Sequence, residues 1–204
     1  SGAGGDAVGY QVANSLRFNS DDSAYLNKTP SGAGNRKTWT FSCWFKRSKL
    51  GANQVLLSSV TSNGVDTNFT MILNSDDKLG IEYGTDYFLK TTQVFRDPSA
   101  WQHCVLSVDT TNATADNRIR LYVNGSEVED FSIRNNPSQN QDLAVNRTEI
   151  HYIGRLGANY LDAYLADVHM VDDTALDASS FGETDETTGQ WVPIEYTGSY
   201  GTNG

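Results

Sequence analysis

Hydrolysis of a glycosidic bond needs two carboxylates on opposite sides of it, about 5 to 9 Å apart. The nearest pair in this chain, Asp162 and Asp167, falls on opposite parities of a run that reads as a strand. A regular strand cannot aim both at one substrate. Nucleophilic chemistry has less to work with: there is no G-x-S-x-G elbow. His103, His151 and His169 sit in separate strand-like runs, without the H-x-x-x-H spacing of a zinc site. Phosphate loops and dinucleotide fingerprints are also missing. No catalytic residue is assigned, and the chain reads as a non-enzyme.

The remaining chemistry is binding. Asp76-Asp77 and Asp172-Asp173, with Asp21-Asp22 earlier, stand in turns, and carboxylates on flexible loops suit calcium. Asp pairs are equally what exposed turns contain, so the expectation is no required cofactor, with calcium as the one candidate ion. Sugar recognition needs aromatic faces for C–H stacking and planar polar groups for hydroxyls. Tyr83, Asp86, Tyr87, Asn159, Tyr160 and Trp191 offer that mixture. The alternative is that they plug an edge of the fold or make subunit contacts.

Short strands must position these residues. TWTFSCWFK at 38–46, SAWQHCVLSVD at 99–109 and LDAYLADVHMVDDTAL at 161–176 are apolar or alternating runs bounded by Gly, Asp, Asn or Pro, without helical period. In the first, Trp39, Phe41, Cys43 and Phe45 share one face and Thr40, Ser42 and Trp44 the other, as in a central strand with one wetter face. Trp44 and Trp101 are assigned to the framework. So is Asp167, an acid inside the third run, which is expected to accept from backbone amides, a Trp or Arg155. Leu16 and Phe18 with Tyr25 and Leu26 suggest a first hairpin, and residues 68–73 pair with 78–83 across NSDD. Asn124-Gly125 marks a type I′ hairpin between residues 120–123 and 127–131. The polar stretch from Arg134 to Arg147 reads as a rim loop free to meet a partner.

A chain of 204 residues suits one all-β sandwich, which at this size buries about 70% of its unfolded surface. One domain over 13–204 is expected, preceded by a Gly-rich flexible arm over 1–12. The net charge of −10 and pI near 4.6 exclude partners attracted by surplus Lys and Arg, namely nucleic acid and anionic membrane. GNRK at 34–37 and KRSK at 46–49 form the sole basic candidate and read as solvated. No apolar run approaches a membrane span. Cys43 and Cys104 lie inside strands and read as buried, reduced thiols acting as small apolar residues.

These strands carry a resemblance. Trp39, Thr40, Ser42, Trp44 and Lys46, then Trp101, His103 and Asp109, then Leu121 to Gly125, and finally Leu161, Ala163, Leu165, Asp167, Val168, Ala175 and Leu176 follow the motif order of laminin-G-like modules of the concanavalin A-like jelly rolls. The resemblance implies a two-sheet antiparallel jelly-roll sandwich. Enzymes of that fold carry an E-x-D-x-x-E strand, and none occurs here. Ala163 stands where Gly is usual and Ala166 where an acid is common, and the second departure weakens a carried-over metal role. The segments at 14–40, 95–111 and 177–193 are similar to modules in structural proteins of marine tailed phages. That likeness implies a virion-surface fibre, attachment or decoration module, assembled in the bacterial host cytoplasm. Its partners would be a host-surface glycan and other virion proteins, with a homo-oligomer left open. In such proteins the chain commonly continues past Y-G-T-N-G, so a fragment of a longer chain is expected. A purely structural subunit and a polysaccharide hydrolase are the rival readings.

Overall fold

Trp39, Phe41, Cys43 and Phe45 are completely buried, and the strand that alternates them organises the molecule. A computed structural model describes residues 10–60 and 68–204; most of the expected N-terminal arm lies outside the described residues. The strands are β1 (Leu16–Phe18), β2 (Leu26–Lys28), β3 (Thr38–Arg47), β4 (Gln54–Ser59), β5 (Phe69–Leu73), β6 (Lys78–Tyr83), β7 (Asp86–Val94), β8 (Gln102–Asp109) and β9 (Ile119–Val123). They continue with β10 (Ser126–Glu127), β11 (Phe131–Arg134), β12 (His151–Ile153), β13 (Arg155–Leu156), β14 (Asn159–Tyr160), β15 (Ala163–Asp172), β16 (Gly182–Thr184) and β17 (Trp191–Pro193). The described helical content is two single 3₁₀ turns, Ala115–Asn117 and Ala178–Ser180, so no helix among the described residues could cross a membrane.

Two antiparallel sheets face each other. One has six strands in the order β1-β15-β3-β8-β9-β10, the other seven in the order β11-β7-β6-β5-β4-β12-β2. The expected jelly-roll sandwich is therefore the observed fold. Between the sheets lies one apolar core, to which β3 gives its Trp39 parity, β8 gives Cys104, Leu106 and Val108, and the opposite sheet gives Phe69, Met71, Leu73, Leu79, Ile81 and Leu89. Each such side chain contributes about 1.5–3 kcal/mol on leaving water. Cys43 and Cys104 are register partners. Their sulfurs lie 3.5 Å apart as free thiols, and the shared contact with burial raises the Cys43 pKa well above its usual value.

Several local expectations give way to long-range pairing. The first hairpin does not form: β1 pairs with β15 in one sheet and β2 with β12 in the other. Asn124 and Gly125 do have positive φ, 48° and 83°, as a type I′ turn requires. Its second arm leaves after β10, however, and Phe131 pairs with β7 across the sandwich. The stretch 134–147 is not a free rim loop, because Leu143, Ala144 and Val145 are completely buried in the core. The supposed basic patch is taken up by acids: Arg36 and Lys37 approach Asp142, Lys49 approaches Asp162, and buried Arg47 pairs with Asp77 at 2.9 Å.

Candidate functional site

The outer face of the six-stranded sheet is also covered, but by different means. Thr40, Ser42 and Trp44 of β3, His103 and Val105 of β8, and Ala166, His169 and Val171 of β15 share this face by register. The C-terminal segment folds back over it, packing Phe181, Trp191 and Tyr196 against Val105, Tyr122 and Val171. His103 lies between two indoles, its ring 4.9 Å from that of Trp44 and 6.1 Å from that of Trp191, both nearly parallel to it. Trp191 Nε1 donates to His103 Nδ1 at 2.9 Å. His103 must then carry its proton on Nε2, which donates to Ser42 Oγ at 2.8 Å. Burial lowers the His103 pKa to about 4, with nearby His169 adding to the effect and Asp167 opposing it. The neutral tautomer that receives Trp191 is thus the one present at neutral pH.

Two glycines make room for Trp191. A Cβ at Gly125 would fall 2.4 Å from the indole and one at Gly182 2.6 Å from it, distances no side chain tolerates.

Beside this row the surface opens into a groove of about 840 Å³. Its indoles are Trp44, Trp101 and Trp191; Ala166 adds a small side chain, and the main-chain segments 10–15 and 190–193 form walls. The described residues that line it include no charged side chain. Exposed amides come from Gln11, Asn14 and Gln190. Asn124 is fixed, accepting from His103 N and donating to Gln102. The N-terminal wall is pinned by Tyr10, whose hydroxyl donates to Asp167 Oδ1 at 3.0 Å. Asp167 sits at a one-residue bulge of β15 with φ 48°, and its side chain is 6% exposed. His169 Nε2 lies 3.1 Å from the same oxygen, outside hydrogen-bonding alignment, while its Nδ1 meets the Tyr200 hydroxyl at 2.8 Å. The expected partners of Asp167 are therefore corrected. The bonded partner is Tyr10, with His169 beside it, because the bulge turns the carboxylate away from the regular alternation.

A laminin-G-type family model, described as the concanavalin A-like lectin/glucanases superfamily, matches residues 7–180. The chain belongs to the concanavalin A-like lectin/glucanases superfamily. Among solved structures it resembles a native heptameric SAP-like pentraxin from Limulus polyphemus, with 18% identity, TM-score 0.54, and 82% of this chain and 74% of that chain covered. It also resembles a Trypanosoma rangeli sialidase in complex with sialic acid, with 13% identity and TM-score 0.50, covering 71% of this chain but 22% of that one. At such identities the likeness is one of fold. No curated protein matches the chain in sequence.

On this superfamily scaffold the six residues expected to bind sugar do not converge. Tyr83, Asp86 and Tyr87 sit on the β6–β7 hairpin. There Tyr83 stacks on Phe88 at 5.2 Å and Tyr87 donates to Asn74 at 2.7 Å. Asn159 and Tyr160 form β14, and Tyr160 joins Tyr25 and Tyr152 around the Arg155 guanidinium, 4.7–5.5 Å from the three rings. Of the six, Trp191 alone lines the groove.

Trp101 is reassigned: it is 37% exposed, one residue ahead of β8, and lines the groove instead of bracing the frame. Trp44 does both. The signal in the sequence was Trp44 on the polar parity of its strand, the face whose cover the sequence does not reveal.

Most of the paired acids meet donors within the protein. Asp77 receives Arg47, Arg96 and Gly51 N, and Asp76 meets Lys90 at 2.9 Å. Asp172 accepts from Asn35, Asn146, Asp173 and Asn203, and Asp173 from Asn35. Asp22 accepts from Asn19. The carboxylates of Asp77 and Asp172 are filled by N–H donors, the reverse of what a cation needs, while Asp22 and Asp173 each accept one such bond; no cluster of three or more His, Cys, Asp or Glu suited to a metal occurs among the described residues. Asp162 holds the Ser20 amide and hydroxyl and does not face a substrate with Asp167.

Proposed function

We propose that this domain is a non-enzymatic carbohydrate-binding module whose site is the Trp44, Trp101 and Trp191 groove. The observation that carries this reading is the gathering of three of the chain's four tryptophans, with exposed amides beside them, in one open groove. Indoles offer flat apolar faces to sugar C–H groups, and amides can pair with hydroxyls. The described lining holds no Asp or Glu, so the paired carboxylates that glycoside hydrolysis demands are not set across it. Its place on a virion surface, as a fibre, attachment or decoration component meeting a host glycan, rests on the sequence resemblance.

A glycan array probed with the domain, followed by titration calorimetry on the hits, tests the reading. Trp101→Ala should weaken binding at least about tenfold, the loss of roughly 1.4 kcal/mol. Absence of hits, or hits indifferent to Trp101, overturns it. A structural or oligomerising subunit is the second reading. It is favoured by a cleft of about 310 Å³ near β2 and β12, lined by Leu26 and Val168, which are 49% and 41% exposed. A stable oligomer without glycan hits would support it.

A further inference from the structure

Resting on that reading, we infer that the groove selects uncharged glycan chains and rejects uronate, sialate and sulfate sugars. An acidic sugar buried against protein needs a cationic partner, since leaving its charge unpaired costs several kcal/mol. Every described residue lining the groove is neutral: indoles, aliphatic side chains, amides, a serine and the Tyr10 phenol. The nearby imidazole gives no positive charge, because buried His103 is neutral with both ring nitrogens engaged by Ser42 and Trp191.

Carboxylates stand at one wall of the groove, while the cations Lys46 and Arg17, on the same outer face by register, are not among its lining residues. Tyr10 bonds Asp167, and its phenol is pushed up by burial, then by Asp167 and Glu195, so two carboxylates act on the wall it forms. The whole chain carries a charge of −10, which repels anionic polymers during approach. A neutral pyranose meets no such penalty. Its apolar faces match the indoles, and its hydroxyls match Gln11, Asn14 and Gln190, side chains that donate and accept at once.

The test is a panel of soluble oligosaccharides of equal length: neutral glucan, mannan and chitin fragments, anionic alginate, carrageenan and sialylated fragments, and cationic chitosan fragments. Each is titrated into the domain at low and high salt, with Trp101→Ala as the site control. The expected result is binding of at least one neutral member, changing less than about twofold with salt and lost in Trp101→Ala, with no anionic member bound. Trp101-dependent binding of any anionic member, or of charged members alone, overturns the inference while leaving the carbohydrate reading intact. Binding that ignores Trp101, or no binding in the panel, overturns both.

Discussion

Both faces of β3 are buried, yet they do different work. Inward, Trp39, Phe41, Cys43 and Phe45 meet apolar side chains of the opposite sheet, a non-directional contact proportional to area. Outward, Thr40 accepts from Leu176 N and donates to Thr174 O, and Ser42 and Trp44 meet His103. The outer layer thus adds directed bonds, which fix orientation at modest net energy, to a smaller apolar cluster around Phe181. The inner face supplies most of the stability; the outer places Trp191 and the groove, and carries the sensitivity to protonation.

The comparison breaks most visibly at Phe41. Phe41→Ala should cost about 3–5 kcal/mol, measured by urea unfolding. A cost under about 1 kcal/mol would mean the inner face is not the main source of stability.

Acidification probes the outer face. His103 titrates near 6.5 when unfolded and near 4 when folded, so between these values the unfolded chain binds more protons. Stability is intact above about pH 6.5 and falls towards pH 4, by roughly 3 kcal/mol. His151, also lowered by burial, contributes in the same direction. Denaturation midpoints across that range should slope, and His103→Gln should flatten much of the slope. An unchanged profile in the variant would remove His103 from its assigned role.

Asp167 comes next in expected effect. Asp167→Ala loses the Tyr10 bond and places alanine in a left-handed conformation that Asp tolerates better, for about 2 kcal/mol. Asp167→Asn keeps an acceptor and should cost under about 1 kcal/mol by thermal melting. Equal melting of both variants would show that neither the bond nor the bulge geometry matters.

The smallest effect belongs to Trp101→Ala, which should leave unfolding within about 0.5 kcal/mol of the parent while glycan binding drops. A large loss of stability would return Trp101 to the framework.

Period-two patterning made β3 readable, since Trp39 to Phe45 alternate without interruption, and Asn124-Gly125 supplied its own turn chemistry. Pairing across the sandwich was not readable. The polar turn after Phe18 says that the chain reverses, but not that β1 and β2 join different sheets. Leu143 to Val145 are three apolar residues in a polar stretch, too short to carry a period, and tertiary packing alone buries them. The bulge at Asp167 adds one residue against β3 and so shifts parity midway along β15, which a regular alternation cannot anticipate. The groove escaped for a related reason. Its indoles come from Trp44, Trp101 and Trp191, on three distant stretches: pairing of β3 with β8 brings the first two side by side, and the folded-back C-terminal segment adds the third.

The fourth tryptophan, Trp39, is wholly enclosed in the core and packs edge-on to Phe69 at 5.2 Å. Three of the four indoles of this domain therefore stand at its candidate site. Ligand entry should alter the polarity around Trp101 without touching Trp39, so the protein carries its own optical label, and occupancy can be followed in unmodified material by a shift of the emission maximum.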